Sequence, residues 1–167
     1  FEDYSPSPTS ALVHALKDGL FSAIVMSQVL EHAFDVNLWI SKANGLLKTG
    51  GILAIAVPNF DSFLRYIFGI NEPYIIPPAH LNFFSPSSLS RLLERHGFKV
   101  ERVQHVSRIP RDVFKKRLPA WAAPLVSVPY NATRAVLSGL DQAHMGMIIN
   151  VYASKRSNSP LSVLPFP

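Results

Sequence analysis

The sequence predicts an α/β fold organised around a parallel sheet, and three observations carry that prediction. Two short runs, Ala23–Met26 (AIVM) and Ile52–Val57 (ILAIAV), are apolar at both alternating positions. That pattern suits strands buried on both faces beneath helices. Between them, Val36, Trp39, Ile40, Ala43 and Leu47 recur at roughly helical spacing. Strand, helix and strand in such a short stretch make a right-handed crossover by the usual rule.

Each element has its own local signals. Phe1–Pro8 (FEDYSPSP) reads as a strand end and a turn, and Thr9–Lys17 as a short helix. Asp35 is a suitable N-cap for the crossover helix, and Gly50-Gly51 is expected to end it, since glycine accepts the left-handed conformation. Asp61–Phe68 reads as a helix after the Pro58-Asn59 turn. Gly69–Phe84 is a long connection rich in proline and aromatics, the kind of loop that covers a ligand. Ser85 opens a helix with Pro86 in its first position, Leu89, Leu92 and Leu93 inside and Gly97 at its end. Phe98–His105 and Met147–Ala153 complete the strands. Arg108–Leu140 is broken by Pro110, Pro119, Pro124 and Pro129 and shows no clear period. Arg156–Pro167 is Ser/Pro-rich and reads as a disordered tail.

Composition narrows the classes. A chain of 167 residues with 48% apolar content suits one domain with a real core. The absence of cysteine excludes disulfides and thiolate metal sites. No stretch approaches the roughly 18 apolar residues of a membrane-spanning helix, and no signal peptide is visible, so a cytoplasmic location is expected. The first residue is Phe rather than Met, which points to a processed chain or a fragment. The net charge of +5 is spread over Arg91–Arg117 and Arg134–Arg156 rather than drawn into a stripe. Nucleic acid is therefore a lesser expectation than a small-molecule partner.

Three segments taken in order, SQVLEH, LLKTGG-ILAIAVPN and HLNFFSPSSLSRLLERHGF, resemble the C-terminal half of a class I S-adenosylmethionine-dependent methyltransferase. The likeness covers Phe21–Phe98, and Met147–Lys155 more loosely. It implies a Rossmann-like sheet of order 3-2-1-4-5-7-6, of which this chain supplies strands 4-5-7-6. It also implies S-adenosylmethionine as cofactor and methyl transfer as the activity. The E/D-x-G-x-G loop that normally follows the first strand is not in the sequence. The chain is accordingly expected to be a partial methyltransferase domain over 1–155, truncated at its N-terminus, with 108–140 a variable acceptor-side insertion and 156–167 a tail. Lys115-Lys116-Arg117 before LPAWAAPLVSV gives that insertion a second reading, a membrane-interface segment, which its prolines oppose.

Site residues follow from the resemblance. Asp3 occupies the place of an acidic residue after strand 3 that would meet the adenine amino group. Ser27 and Gln28 directly follow a parallel strand, facing the ligand crevice at the carboxyl ends. Glu31 and His32 in QVLEH, with His80 in PPAHLNFF, resemble the E-x-x-E-H sequence and further histidine of metal-dependent relatives. Those relatives include ubiquinone-pathway O-methyltransferases and small-RNA 2′-O-methyltransferases. Gln28 stands where the first Glu belongs and removes a charged ligand. Glu31, His32 and His80 are therefore read first as acceptor-orienting or general-base groups, with structural roles such as capping the following helix and a divalent-metal set as the alternatives. Tyr74, Phe83 and Phe84 are either acceptor-pocket lining or simple packing. His14, His96, His105 and His144 lie outside any motif and read as surface or core residues. The competing functional class is a non-catalytic remnant or interaction module that keeps this half of the fold. Acceptor identity and oligomeric state are not encoded in any of these signals.

Overall fold

Two parallel strands form the first half of the sheet: β1 (Phe21–Ser27) runs beside β2 (Leu47–Pro58), with Ala23 opposite Ile52 and Ser27 opposite Ala56. The computed structural model describes residues 18–72, 74–107 and 130–157. Helix α1 (Val36–Leu46) joins the two strands, and its Asp35 cap accepts from the Leu38 amide at 3.0 Å. Strand β4 (Ile148–Lys155) pairs antiparallel with β2, and β3 (Phe98–Val106) pairs antiparallel with β4. The resulting order, β1-β2-β4-β3, is the 4-5-7-6 portion that the sequence predicts.

Helix α2 (Phe63–Phe68) starts on a Ser62 cap. Helix α3 (Pro86–Arg95) starts on a Ser85–Ser88 capping box with Pro86 in its first turn. Past α3, Gly97 takes a φ of 81°, a left-handed turn that feeds β3. One continuous core joins Ile40 and Ala43 of α1, Leu89, Leu92 and Leu93 of α3, and Leu53, Ile55, Val57, Ile149, Val151 and Ala153 of the sheet. Each fully buried Leu or Ile contributes about 1.5–3 kcal/mol relative to exposure.

Two expectations are corrected. Gly50-Gly51 does not end α1; the helix stops at Leu46, and Leu47 already pairs with Phe21. Leu47 is fully buried, so the core draws it into β2 rather than into a last helical turn. The glycines lie inside β2, where the register slips between Phe21 and Ala23. Gly50 has a φ of 75°, and a Cβ on Gly51 would stand 2.8 Å from the Lys48 carbonyl oxygen. They shape a bulge. Second, among the described residues the parallel strands are covered on one face only. Leu53, Ile55 and Val57 are at most 2% exposed, whereas Val25 is 73% and Ile52 38% exposed.

Helix α4 (Tyr130–Gln142) was not legible in the sequence. It packs at the end of β3, where Asp141 accepts from the Ser107 amide at 3.0 Å and from its hydroxyl at 2.6 Å. The expected N-terminal strand end and helix, residues 108–129 of the expected insertion, and 158–167 of the tail lie outside the described residues.

Candidate active site

The carboxyl ends of β1 and β2 meet where the chain leaves the sheet. Gln28 follows β1 with a φ of 54°, a left-handed conformation uncommon for a non-glycine residue. Its amide donates to the Ala56 carbonyl at 2.8 Å, and its side-chain Nε2 reaches the same oxygen at 3.3 Å. Gln28 is thereby folded back onto β2, while Ser27 is exposed at the strand end. Ser27 is the better placed of the two to meet a ligand in the crevice.

A 3-10 turn, Leu30–His32, comes next and is stitched to the connection before α3. The amides of Leu81 and Asn82 both donate to the Glu31 carbonyl, at 2.8 and 3.0 Å. The Asn82 side chain donates to the carbonyls of Leu30 at 3.4 Å and Ala33 at 2.6 Å. His32 Nδ1 lies 2.7 Å from the Ala79 carbonyl oxygen. A carbonyl only accepts, so Nδ1 carries a proton, and in the neutral form of the imidazole Nε2 is then the nitrogen with the lone pair.

That lone pair is not alone. Nε2 lies 3.9 Å from Glu31 Oε1, and the His80 ring packs edge-on against His32 with centroids 4.8 Å apart. Glu31, His32 and His80 each offer a ligand atom, all within 4.8 Å of one another. Glu31 is 1% exposed, and neither of its carboxylate oxygens has a hydrogen-bond partner. Burial pushes the Glu31 carboxyl above the usual range, against the pull of its own backbone amide and of His32. Two acceptors 3.9 Å apart repel unless a proton donor or a cation lies between them.

Phe60 packs at a tilt against Phe83, with centroids 5.4 Å apart, and the Arg65 guanidinium lies 3.8 Å over the Phe60 ring. Phe83 is 41% exposed and can line a pocket. Phe84 does not: it is a core residue, and Tyr74 packs against Phe68 and Met147. Asp3 and His14 lie outside the described residues. His96 bonds to Asn37 at 3.1 Å on the helical side, and His105 packs against His144 at 5.2 Å near α4. The structure thus brings Glu31, His32 and His80 together. Asn82 was missed by sequence reasoning; its one signal is a polar residue set inside the apolar run HLNFF.

Comparison with known proteins identifies the family and the fold. The family model described as a methyltransferase domain matches residues 2–103. A probable S-adenosylmethionine-dependent methyltransferase of Mycolicibacterium smegmatis is 30% identical over 86 residues, covering 52% of this chain and 32% of that protein. The mitochondrial ubiquinone biosynthesis O-methyltransferase of Rattus norvegicus is 37% identical over 90 residues, covering 50% of this chain and 26% of that protein. Among solved structures, a SAM-dependent methyltransferase of Thermotoga maritima has a TM-score of 0.54 at 22% identity, covering 85% of this chain and 59% of its own. One from Archaeoglobus fulgidus has a TM-score of 0.53 at 18% identity, covering 86% and 63%. These structural likenesses concern the fold. The matched region spans about a third or less of the length of these curated relatives.

Proposed function

Because the chain belongs to the methyltransferase-domain family, we propose that it forms the acceptor-side part of an S-adenosylmethionine-dependent methyltransferase acting on a hydroxyl group. The observation that carries this reading is the Glu31–His32–His80 cluster at the carboxyl end of the parallel strands. The likeness to ubiquinone biosynthesis O-methyltransferases supports an oxygen acceptor. The sequence holds no E/D-x-G-x-G, so the methionine-binding loop is expected from a segment outside these residues.

S-adenosylmethionine, when bound, supplies an electrophilic methyl group on a sulfonium. This chain's own residues prepare the acceptor. The Ala79 carbonyl holds the His32 proton on Nδ1, leaving Nε2 to take the proton of an acceptor hydroxyl. That proton would pass to the imidazole as the acceptor oxygen takes the methyl group and the methyl–sulfur bond breaks, so that one positive charge moves from the sulfonium to the imidazolium and a neutral thioether leaves. The Ala79 carbonyl stands behind the ring at Nδ1, while Glu31 lies on the Nε2 side, 3.9 Å away, where an ionised carboxylate would attract the imidazolium that forms. Ser27 at the end of β1 and exposed Phe83 border the crevice.

The orphaned Glu31 oxygens favour a second reading. Glu31, His32 and His80 form a chemically sensible donor set for a divalent ion. Such an ion supplies Lewis-acid polarisation of the acceptor oxygen. The His32 Nε2 lone pair can serve as base or as ligand, not both.

The experiment is calorimetric titration of the chain, alone and joined to a segment that carries a glycine-rich methionine-binding loop as the longer polypeptide, with S-adenosylhomocysteine, followed by transfer assays on phenolic acceptors. General-base catalysis typically contributes about 10²–10⁴-fold. His32→Ala should lower the turnover of the longer polypeptide by that order while leaving cofactor affinity unchanged. Unchanged turnover removes His32 from the chemistry. No binding by either polypeptide favours the non-catalytic interaction module.

A further inference from the structure

We propose that Asn82 is the positioning residue of this site: its carboxamide brackets the Leu30–Ala33 turn and thereby sets the tautomer and direction of the His32 ring. The catalytic meaning of this bracket rests on the proposed function; its existence does not.

The argument begins with the donor count. A carboxamide nitrogen has two hydrogens, and Asn82 Nδ2 meets two carbonyls, Leu30 at 3.4 Å and Ala33 at 2.6 Å. Those carbonyls flank Glu31 and His32 in sequence, so one side chain grips both ends of the turn that carries them. Leu30 and Ala33 are buried, at 0% and 5% exposure; the Leu30 carbonyl also accepts from the Ala33 amide at 3.2 Å, so the 2.6 Å bond to the Ala33 carbonyl is the one that Asn82 chiefly supplies. The backbone amides of Leu81 and Asn82 close on the Glu31 carbonyl from the same segment. Ala79, three positions before Asn82, then supplies the carbonyl that His32 Nδ1 meets at 2.7 Å.

The consequence is a specific tautomer. The Ala79 carbonyl faces Nδ1 only while the segment 79–82 stays fastened to the turn 30–33. Release of the bracket frees the ring, and the Nδ1 proton loses its partner. Its smaller or isosteric replacements do not do the same work. Aspartate would turn an oxygen toward two carbonyl oxygens, serine has a single hydrogen, and alanine has none.

Long-range proton–nitrogen NMR of the His32 ring in the 167-residue chain reads the tautomer directly. The parent chain should show Nδ1–H at His32 and slowly exchanging Asn82 side-chain amide protons. Asn82→Ala and Asn82→Asp should lose the Nδ1–H signature and the ring contact between His32 and His80. Asn44→Ala is the control, because Asn44 Nδ2 makes a comparable bond to the His96 carbonyl at 2.8 Å. It should leave His32 untouched, whatever it does to stability. Retention of the Nδ1–H form in either Asn82 variant overturns the proposal. So do freely exchanging Asn82 amide protons in the parent chain, which keeps the test decisive if both variants fail to fold. Loss of the tautomer with unchanged methyl transfer in the longer polypeptide supports the bracket and removes His32 as the base.

Discussion

Replacing Glu31 by glutamine should stabilise the metal-free chain at neutral pH. Glu31 is 1% exposed, and neither oxygen has a hydrogen-bond partner. An unsatisfied buried polar group costs about 1–3 kcal/mol, and a charged one more. His32 repays part of this, but its side chain is 45% exposed and solvent screens the attraction. Burial raises the Glu31 carboxyl, outweighing its own amide and His32. The folded chain therefore keeps the Glu31 proton to higher pH than the unfolded chain does. Relative stability is greatest below the ordinary carboxylate pKa and falls as pH rises through the folded value. Glutamine has the same shape and no charge. The gap between Glu31→Gln and the parent should be near zero at about pH 4 and about 1–3 kcal/mol in the variant's favour at neutral pH. That corresponds to a few degrees in Tm, at about 2–4 °C per kcal/mol for a chain of this size. Urea denaturation followed by circular dichroism, in EDTA across that pH range, measures the gap. A gap that does not change with pH, or a less stable variant at neutral pH, refutes the account of Glu31 as an uncompensated carboxylate.

Two further outcomes are expected. Leu53→Ala, at a fully buried position, should cost about 2–5 kcal/mol, whereas Val25→Ala, 73% exposed, should stay within about 0.5 kcal/mol; equal losses in urea melts would contradict one-sided burial of the sheet. Burial, and then the nearby His144, hold the His105 imidazole below its usual pKa, with Asp141 opposing. Its contribution is intact above the ordinary imidazole value and is lost as pH falls toward the folded one. His105→Gln should flatten the acid-side loss of stability, and an unchanged slope would exclude His105 as its source.

The sheet was largely readable before folding, because its signals are local. AIVM and ILAIAV mark β1 and β2, Asp35 and Ser85 mark helix starts, and Gly97 marks a left-handed turn. The end of α1 was not readable. Gly50-Gly51 is a good local stop signal, but burial of Leu47 starts the strand earlier and makes the glycines a bulge. Burial on one face among the described residues was equally hidden, since an apolar run says what a strand tolerates and not what covers it.

The site divides along the same line. The sequence by itself determined which chemistry is available: a carboxylate and two imidazoles in QVLEH and PPAHLNFF, following a parallel strand. Only the tertiary structure decided their state. Residues some fifty positions apart meet because backbone amides of 81 and 82 close on the Glu31 carbonyl. The packed segments bury the carboxylate, set the Ala79 carbonyl against His32 Nδ1 and lay the Asn82 carboxamide across the Leu30–Ala33 turn, a placement that no local pattern announces. Burial and hydrogen-bond direction are properties of the packed neighbourhood, so they exist only after folding has brought both segments together.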